Sequence, residues 1–219
     1  MEFQNDFSKL QTPRKHLVFK FLVIGDYGVG KTAIVRRYTE GKFSSNYKIT
    51  IGADFSVKTV QWDANTRVSL QLWDVAGHER FGSMTRVYYK HAIGCAIVFD
   101  ITRYSSFQSV PKWLSDVRDK VALNDAGEIP IILLANKWDI GENCLSNEAI
   151  SKFATQNGFK AWFNTSAKTN LNIDEAINCL IDGATIITKD DKTLSSSNTI
   201  AISSIEHKNT VTDRIKCCT

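Results

Sequence analysis

The stretch FKFLVIGDYGVGKTAIVRRYTEG, residues 19–41, decides the fold. Its first seven residues are an apolar run rich in branched side chains, suited to a buried strand. KTAIVRRYTEG, residues 31–41, has helical spacing and closes on Gly41. Between them GDYGVGKT satisfies G-x-x-x-x-G-K-S/T through Gly25, Gly30, Lys31 and Thr32. Glycines let such a loop curl until the amides of Tyr27, Gly28, Val29, Gly30, Lys31, Thr32 and Ala33 converge on phosphate oxygens at a helix N-terminus. Lys31 supplies a cation for β- and γ-phosphates, and the Thr32 hydroxyl can ligate Mg²⁺. The motif alone leaves the base open.

Working outward, ADFSVKTVQW and RVSLQLWD flank Asp63-Ala64-Asn65-Thr66 and read as an antiparallel hairpin. GCAIVFD (94–100), IPIILLAN (129–136) and KAWFNTS (160–166) are further strands. Helices are expected over 105–123, with Pro111 near its start, over 146–158, with Ser146 as N-cap and Gly158 closing it, and over NIDEAINCLIDGATIIT. Strand-helix alternation implies an α/β domain whose mostly parallel sheet is covered on both faces. It should occupy residues 18–187, between a loose arm (1–17) and a Ser/Thr/Asn-rich flexible tail (188–219).

Composition is that of an ordinary globular chain: of 219 residues, 43% are hydrophobic and 23% charged, so wholesale disorder is excluded. The net charge of +4 is scattered rather than banked, which gives no case for nucleic acid. No window reaches the roughly 18 consecutive apolar residues of a membrane span. The N-terminal residues lack the pattern of a signal peptide. Five cysteines without metal spacing fit a reducing cytosol.

Two strand ends carry the base choice. In NKWD (136–139), Asp139 can accept from the N1–H and 2-amino groups of guanine, donors that adenine lacks. Asn136 can brace the loop and reach the base edge, and the stem of Lys137 can lie over the ring. In TSAK (165–168), which includes Ser166, the Ala167 amide can meet the guanine carbonyl and Lys168 can cover the other face. Each motif is weak alone. Their order and strand-end placement make them strong together.

With these motifs in place, the chain resembles a small GTPase of the Ras superfamily, and within it the Rab branch. The resemblance covers residues 19–187 and rests on GDYGVGKT, Thr50 in KITIGADF, WDVAG, NKWD and TSAK. IGADF, ERFGSMTRVYYK and the terminal cysteine pair carry the Rab part, with wording closest to the subgroup linked with lysosome-related organelles and mitochondria. It implies a three-layer P-loop NTPase G domain: six strands, one of them antiparallel, and about five helices. GTP/GDP and Mg²⁺ would be its ligands, with Thr32, Thr50 and Asp74 at the ion. Phe43 would lie edge-on near the guanine, Tyr47 would close over the phosphates, and the Gly77 amide would sense the γ-phosphate. The switches would be roughly 41–56 and 75–91. Phe55, Trp73 and Tyr88 would form the aromatic triad that effectors read; without the resemblance they read as core aromatics.

His78 departs from that pattern, standing where the family usually has the glutamine that orients the attacking water. A neutral imidazole offers one donor and one acceptor on a rigid ring, and an imidazolium near phosphate has no acceptor left. Intrinsic hydrolysis should therefore be slow, with His78, Lys31, Thr50 and Gly77 as the catalytic set. Tyr27 is a second departure: either it hinders an activator's arginine or it faces harmlessly outward. Cys217-Cys218-Thr219 does not fit C-a-a-X but matches Rab termini that receive two geranylgeranyl groups, and two chains hold a protein on a bilayer where one does not.

The resemblance implies a guanine nucleotide exchange factor, a GTPase-activating protein, Rab escort protein, GDP-dissociation inhibitor and membrane-bound effectors as partners of a monomer. It places the chain in the cytosol and on the cytoplasmic face of an intracellular membrane, endolysosomal or lysosome-related. The leading expectation is a GTP-hydrolysing switch in membrane trafficking. The alternative is a GTP-loaded scaffold that rarely turns over. A P-loop kinase for ATP leaves NKWD unexplained.

Overall fold

The computed structural model describes residues 15–46, 48–77, 85–121 and 128–195. Six strands form one sheet: β1 (Lys15–Ile24), β2 (Ala53–Gln61), β3 (Thr66–Val75), β4 (Gly94–Asp100), β5 (Ile131–Asn136) and β6 (Ala161–Asn164). Their spatial order is β2-β3-β1-β4-β5-β6. Only the β2–β3 pair is antiparallel, Gln61 facing Arg67 across the turn and Ala53 facing Val75 at the other end. In that turn Asp63 Oδ1 accepts from the Asn65 amide at 2.8 Å, the local bond that makes Asx residues turn formers.

The helices are α1 (Lys31–Glu40), α2 (Thr85–Tyr89), α3 (Tyr104–Gln108), α4 (Val110–Lys120), α5 (Asn147–Gln156) and α6 (Ile173–Ser195). Because successive strand side chains point to opposite faces, β1 supplies both halves of the core. Phe21 and Val23 pack with Ile34, Tyr38, Leu180 and Ile181 of α1 and α6. Leu22 and Ile24 pack with Trp113, Val117 and Ile150 of α4 and α5. Each such large side chain, removed entirely from water, contributes about 1.5–3 kcal/mol. The three-layer α/β architecture read from the sequence is the one observed.

Three boundaries differ from expectation. β1 begins at Lys15, inside the predicted arm, because Lys15 already pairs with Thr66 of β3 and its amide bonds Asn65 O at 3.0 Å. The predicted 105–123 helix is divided at Ser109 into α3 and α4, with Pro111 in the first turn of α4. Proline has no N–H to carry the preceding helix forward. Counted as one broken helix, α3 and α4 leave five. At the other end α6 runs to Ser195, past the predicted helix end at Thr188 and into the predicted tail, through a stretch with neither glycine nor proline to stop it. The Ser146 cap stands as read: its Oγ accepts from the Ala149 amide at 3.2 Å.

Five loops leave the C-terminal ends of β1, β3, β4, β5 and β6. In a mostly parallel sheet covered on both faces, that rim is where ligands bind.

Candidate nucleotide and metal site

The loop after β1 opens α1 through Gly30, whose φ of 99° and ψ of 21° lie in the left-handed region. A Cβ there would fall 2.3 Å from Asn136 Nδ2, so glycine is required twice over. Lys31 curls back, its Nζ donating to Gly25 O and Asp26 O, each at 2.9 Å. The amine is buried, and loss of water pulls its pKa down to about 8. Val29 is buried beneath the loop, while Tyr27, Gly28 and Ala33 line a cleft of ≈ 490 Å³ with Lys31, Thr32, Thr50 and Gly77. Gly77 comes so close that a Cβ there would lie 2.3 Å from the Tyr27 nitrogen. The loop after β3 is therefore seated directly on the phosphate loop.

Three oxygen-bearing side chains meet at the floor of this cleft. Thr32 Oγ1 lies 2.9 Å from Thr50 Oγ1, and both hydroxyls bond Asp74 Oδ2, Thr50 at 3.3 Å. Asp74 is buried, which raises its pKa despite the Thr32 hydrogen bond and the Lys31 charge that oppose the shift. Its second oxygen, Oδ1, is buried with no hydrogen-bond partner. Two hydroxyls and a half-satisfied carboxylate form an all-oxygen donor set of the kind that suits a small hard dication. The residues present fit Mg²⁺.

The base side is built across β5 and β6. Asn136 braces rather than reaches: Nδ2 donates to Val29 O at 2.8 Å, and Oδ1 accepts from the Ala167 amide at 3.3 Å and Thr165 Oγ1 at 3.4 Å. The amide expected to meet a guanine carbonyl thus makes a long bond to this side chain. Lys137 adopts φ 68°, and its Nζ sits 2.6 Å from Asp100 Oδ2. Burial alone would raise the Asp100 pKa, but hydrogen bonds from Lys137 and Thr102 outweigh it and hold the carboxyl below its usual range. Asp139 Oδ1 accepts from Ser166 Oγ at 2.6 Å, and its Oδ2 is 3.7 Å from Lys168 Nζ. NKWD and TSAK, 27 residues apart at the closest of these contacts, are joined.

Phe43 is exposed in the loop after α1. Tyr47 and His78 lie outside the described residues, as do Cys217 and Cys218. The aromatic triad is a real cluster: Phe55 stacks on Trp73 with centroids 5.6 Å apart, and Trp73 meets Tyr88 at 6.4 Å. Phe55 is 59% exposed, so these are not merely core aromatics. Tyr27 points outward, 56% exposed, beside Arg103, whose Nη2 donates to Tyr27 O at 2.7 Å.

Sequence reasoning missed the residues that hold the motifs in place. Asp100 ends β4 and Arg103 precedes α3, Trp113 Nε1 donates to Asp26 Oδ1 at 2.8 Å, and Arg37 Nε donates to Ala167 O at 2.7 Å. The DITR segment directly after a buried strand was the available signal for the first two. Arg37 offered none, because one charged residue on a helix reads as solvated surface. Among the described residues, no helix is long and apolar enough to cross a membrane.

The family model described as "Ras family" matches residues 20–185. Ras-related protein Rab-32B of Dictyostelium discoideum is 54% identical over 166 residues, 76% of this chain and 64% of that protein, so the chain spans just under two thirds of that relative's length. Human Ras-related protein Rab-32 is 52% identical over 170 residues, covering 77% of this chain and 75% of the relative. For human Ras-related protein Rab-7L1 the identity is 47% over 169 residues, with shares of 77% and 83%. With the phosphate loop, the oxygen-lined floor and the paired base loops, these matches settle the family: the chain belongs to the Ras family, in its Rab branch of GTP-binding proteins.

Proposed function

We propose that this Rab-type switch of membrane trafficking binds Mg²⁺-GTP across the C-terminal rim of its sheet, hydrolyses it slowly unaided, and reports its state through the surface around Phe55, Trp73 and Tyr88. The observation that carries the reading is the meeting of Thr32, Thr50 and Asp74, three hydrogen-bonded oxygens from separate segments, next to the phosphate loop. Thr32 and Thr50, with Asp74 behind them, would hold Mg²⁺, and the ion when bound would neutralise phosphate charge. The loop amides from Tyr27 to Ala33 and the Lys31 cation cradle the phosphates. Asp139, Ala167, Lys137 and Lys168 select and sandwich the guanine, with Asn136 and Ser166 fixing them and Phe43 and Tyr47 closing over. Thr50 and Gly77 belong to different loops, one before β2 and one after β3, and both border the cleft. Losing the γ-phosphate frees both loops together, which is how one bond cleavage changes a whole surface.

His78 sets the rate. Glutamine can accept from water and donate to phosphate at once; an imidazole held near phosphate charge becomes a pure donor and cannot activate water. Single-turnover decay of Mg²⁺-GTP on the purified protein should therefore be slower than on His78→Gln, from a baseline on the order of 10⁻⁴ s⁻¹. Adding a Rab-type activator domain, which supplies its own arginine and glutamine, should erase the difference. A wild type that stays slow even then is the GTP-loaded scaffold instead. Equal rates in both conditions would show that His78 does glutamine's work.

Attachment is assigned to the paired cysteines. Cys217 and Cys218 carry two geranylgeranyl groups added with an escort protein, and lysine and arginine nearly balance aspartate and glutamate over 189–216, so lipid rather than charge supplies the binding. The expected place is the cytoplasmic face of an endolysosomal or lysosome-related membrane, where an exchange factor, an activating protein, a GDP-dissociation inhibitor and effectors act on a monomer.

A further inference from the structure

The Arg37 side chain, on the last full turn of α1, reaches three backbone carbonyls in two distant segments. Nη1 donates to Gly41 O at 2.7 Å, Nε to Ala167 O at 2.7 Å and Nη2 to Lys168 O at 3.0 Å. Its own carbonyl accepts from the Gly41 amide at 3.0 Å, so Gly41 is tied to Arg37 from both sides. One planar cation thus joins the residue that begins the first switch to the loop that reads the base. No other side chain can span this fork: a lysine has a single nitrogen, and a glutamine can donate from only one.

From this geometry we infer that Arg37 is a positioning residue for guanine, resting on the proposal that the TSAK loop reads the base. A trans peptide points its C=O and N–H in opposite directions. Holding Ala167 O toward α1 therefore turns the Lys168 N–H away from α1, beside the Ala167 amide that Asn136 already orients. These two amides are the loop's donors toward a base oxygen at position 6. The same guanidinium makes the donors depend on Gly41: drawing the segment after α1 outward strips one carbonyl from the fork and loosens the other two. Base recognition and the first switch move as a unit through Arg37, which gives a partner that pulls on residues 41–43 a direct route to nucleotide release.

The test is release of three diphosphates from wild type, Arg37→Lys and Arg37→Ala, followed by stopped flow. GDP presents oxygen at position 6. 6-Thioguanosine diphosphate replaces that oxygen with a poor acceptor and keeps the edge that Asp139 reads. Inosine diphosphate keeps the oxygen and lacks the 2-amino group. Loss of the fork should speed GDP release about tenfold, the scale of one charge-assisted hydrogen-bond set. It should narrow the gap between GDP and the 6-thio analogue while leaving the GDP-to-inosine ratio, which Asp139 sets, unchanged. If Arg37→Ala fails to fold, Arg37→Lys keeps the stem and charge and carries the same expectation. Equal acceleration of all three nucleotides would make Arg37 a general fold stabiliser and overturn the inference, as would unchanged GDP release. A wild type that releases GDP and inosine diphosphate alike would instead remove the guanine reading, and this inference with it.

Discussion

Asp139→Asn should cut the affinity for GDP by about 10³-fold or more and transfer the preference to xanthosine diphosphate. The Asp139 carboxylate already receives Ser166 Oγ on one oxygen, with Lys168 Nζ 3.7 Å from the other. Its side chain is 12% exposed, and a bound base would cover what remains, leaving an unmatched group there unpaired. In the asparagine variant the amide oxygen keeps the Ser166 bond, and the NH₂ group turns toward the base edge. There it faces the guanine 2-amino group, donor against donor. Sites built to pair one hydrogen-bonding group reject the wrong one by roughly 10⁴-fold. Xanthine carries a carbonyl at that position and restores a donor-acceptor match. Displacement of fluorescent GDP by the two diphosphates, with wild type alongside, measures both halves. Loss of both nucleotides in a folded variant would place the base elsewhere.

The second large effect should come from a single methyl group, in Gly30→Ala. The added Cβ would stand 2.3 Å from Asn136 Nδ2, and φ of 99° is a conformation that alanine resists. Asn136 is buried and holds Val29 O through that same nitrogen, so it cannot swing aside without releasing the phosphate loop. Strain and overpacking together cost about 3–5 kcal/mol. The melting temperature should fall by about 10 °C, at roughly 2–4 °C per kcal/mol for a domain this size, and nucleotide binding should be lost. Gly41→Ala is the control. Gly41 has φ of 68° but nothing within 4 Å of an added Cβ. It should cost only about 1 kcal/mol of backbone strain. Equal melting temperatures for the two variants would mean that the Asn136 contact does not matter.

The contrast between these glycines shows what could be read from the sequence. Gly25, Gly30, Lys31 and Thr32 announce a phosphate loop because their spacing follows directly from what a backbone must do around phosphate. The strand-helix alternation was equally plain, since apolar runs of strand length and amphipathic runs of helix length differ in period. Asn136 was expected both to brace the loop and to reach the base edge, and in the structure both ends of its amide are given to bracing. That it braces Val29, 107 residues away, depends on β1 and β5 both ending at the same rim. Arg37 escaped notice for the same reason: its partners are backbone carbonyls that only the assembled sheet brings near, and a lone charged side chain carries no spacing to betray that. Asp100 and Arg103 lay in a legible segment, DITR, but their partners Lys137 and Tyr27 sit on loops far away in sequence. The ends of β1 and α6 were misplaced because pairing with β3 and the absence of a stop signal, rather than hydrophobic pattern, decide them.

The most direct measurement of the central claim is displacement of fluorescent GDP from the purified, Mg²⁺-containing protein by GDP, GTP, ADP and ATP. The account predicts that both guanine nucleotides compete near stoichiometrically and that the adenine nucleotides fail even at about 10³-fold excess, because Asp139 has no donors to receive from adenine. Displacement by ATP as effective as by GTP would contradict it.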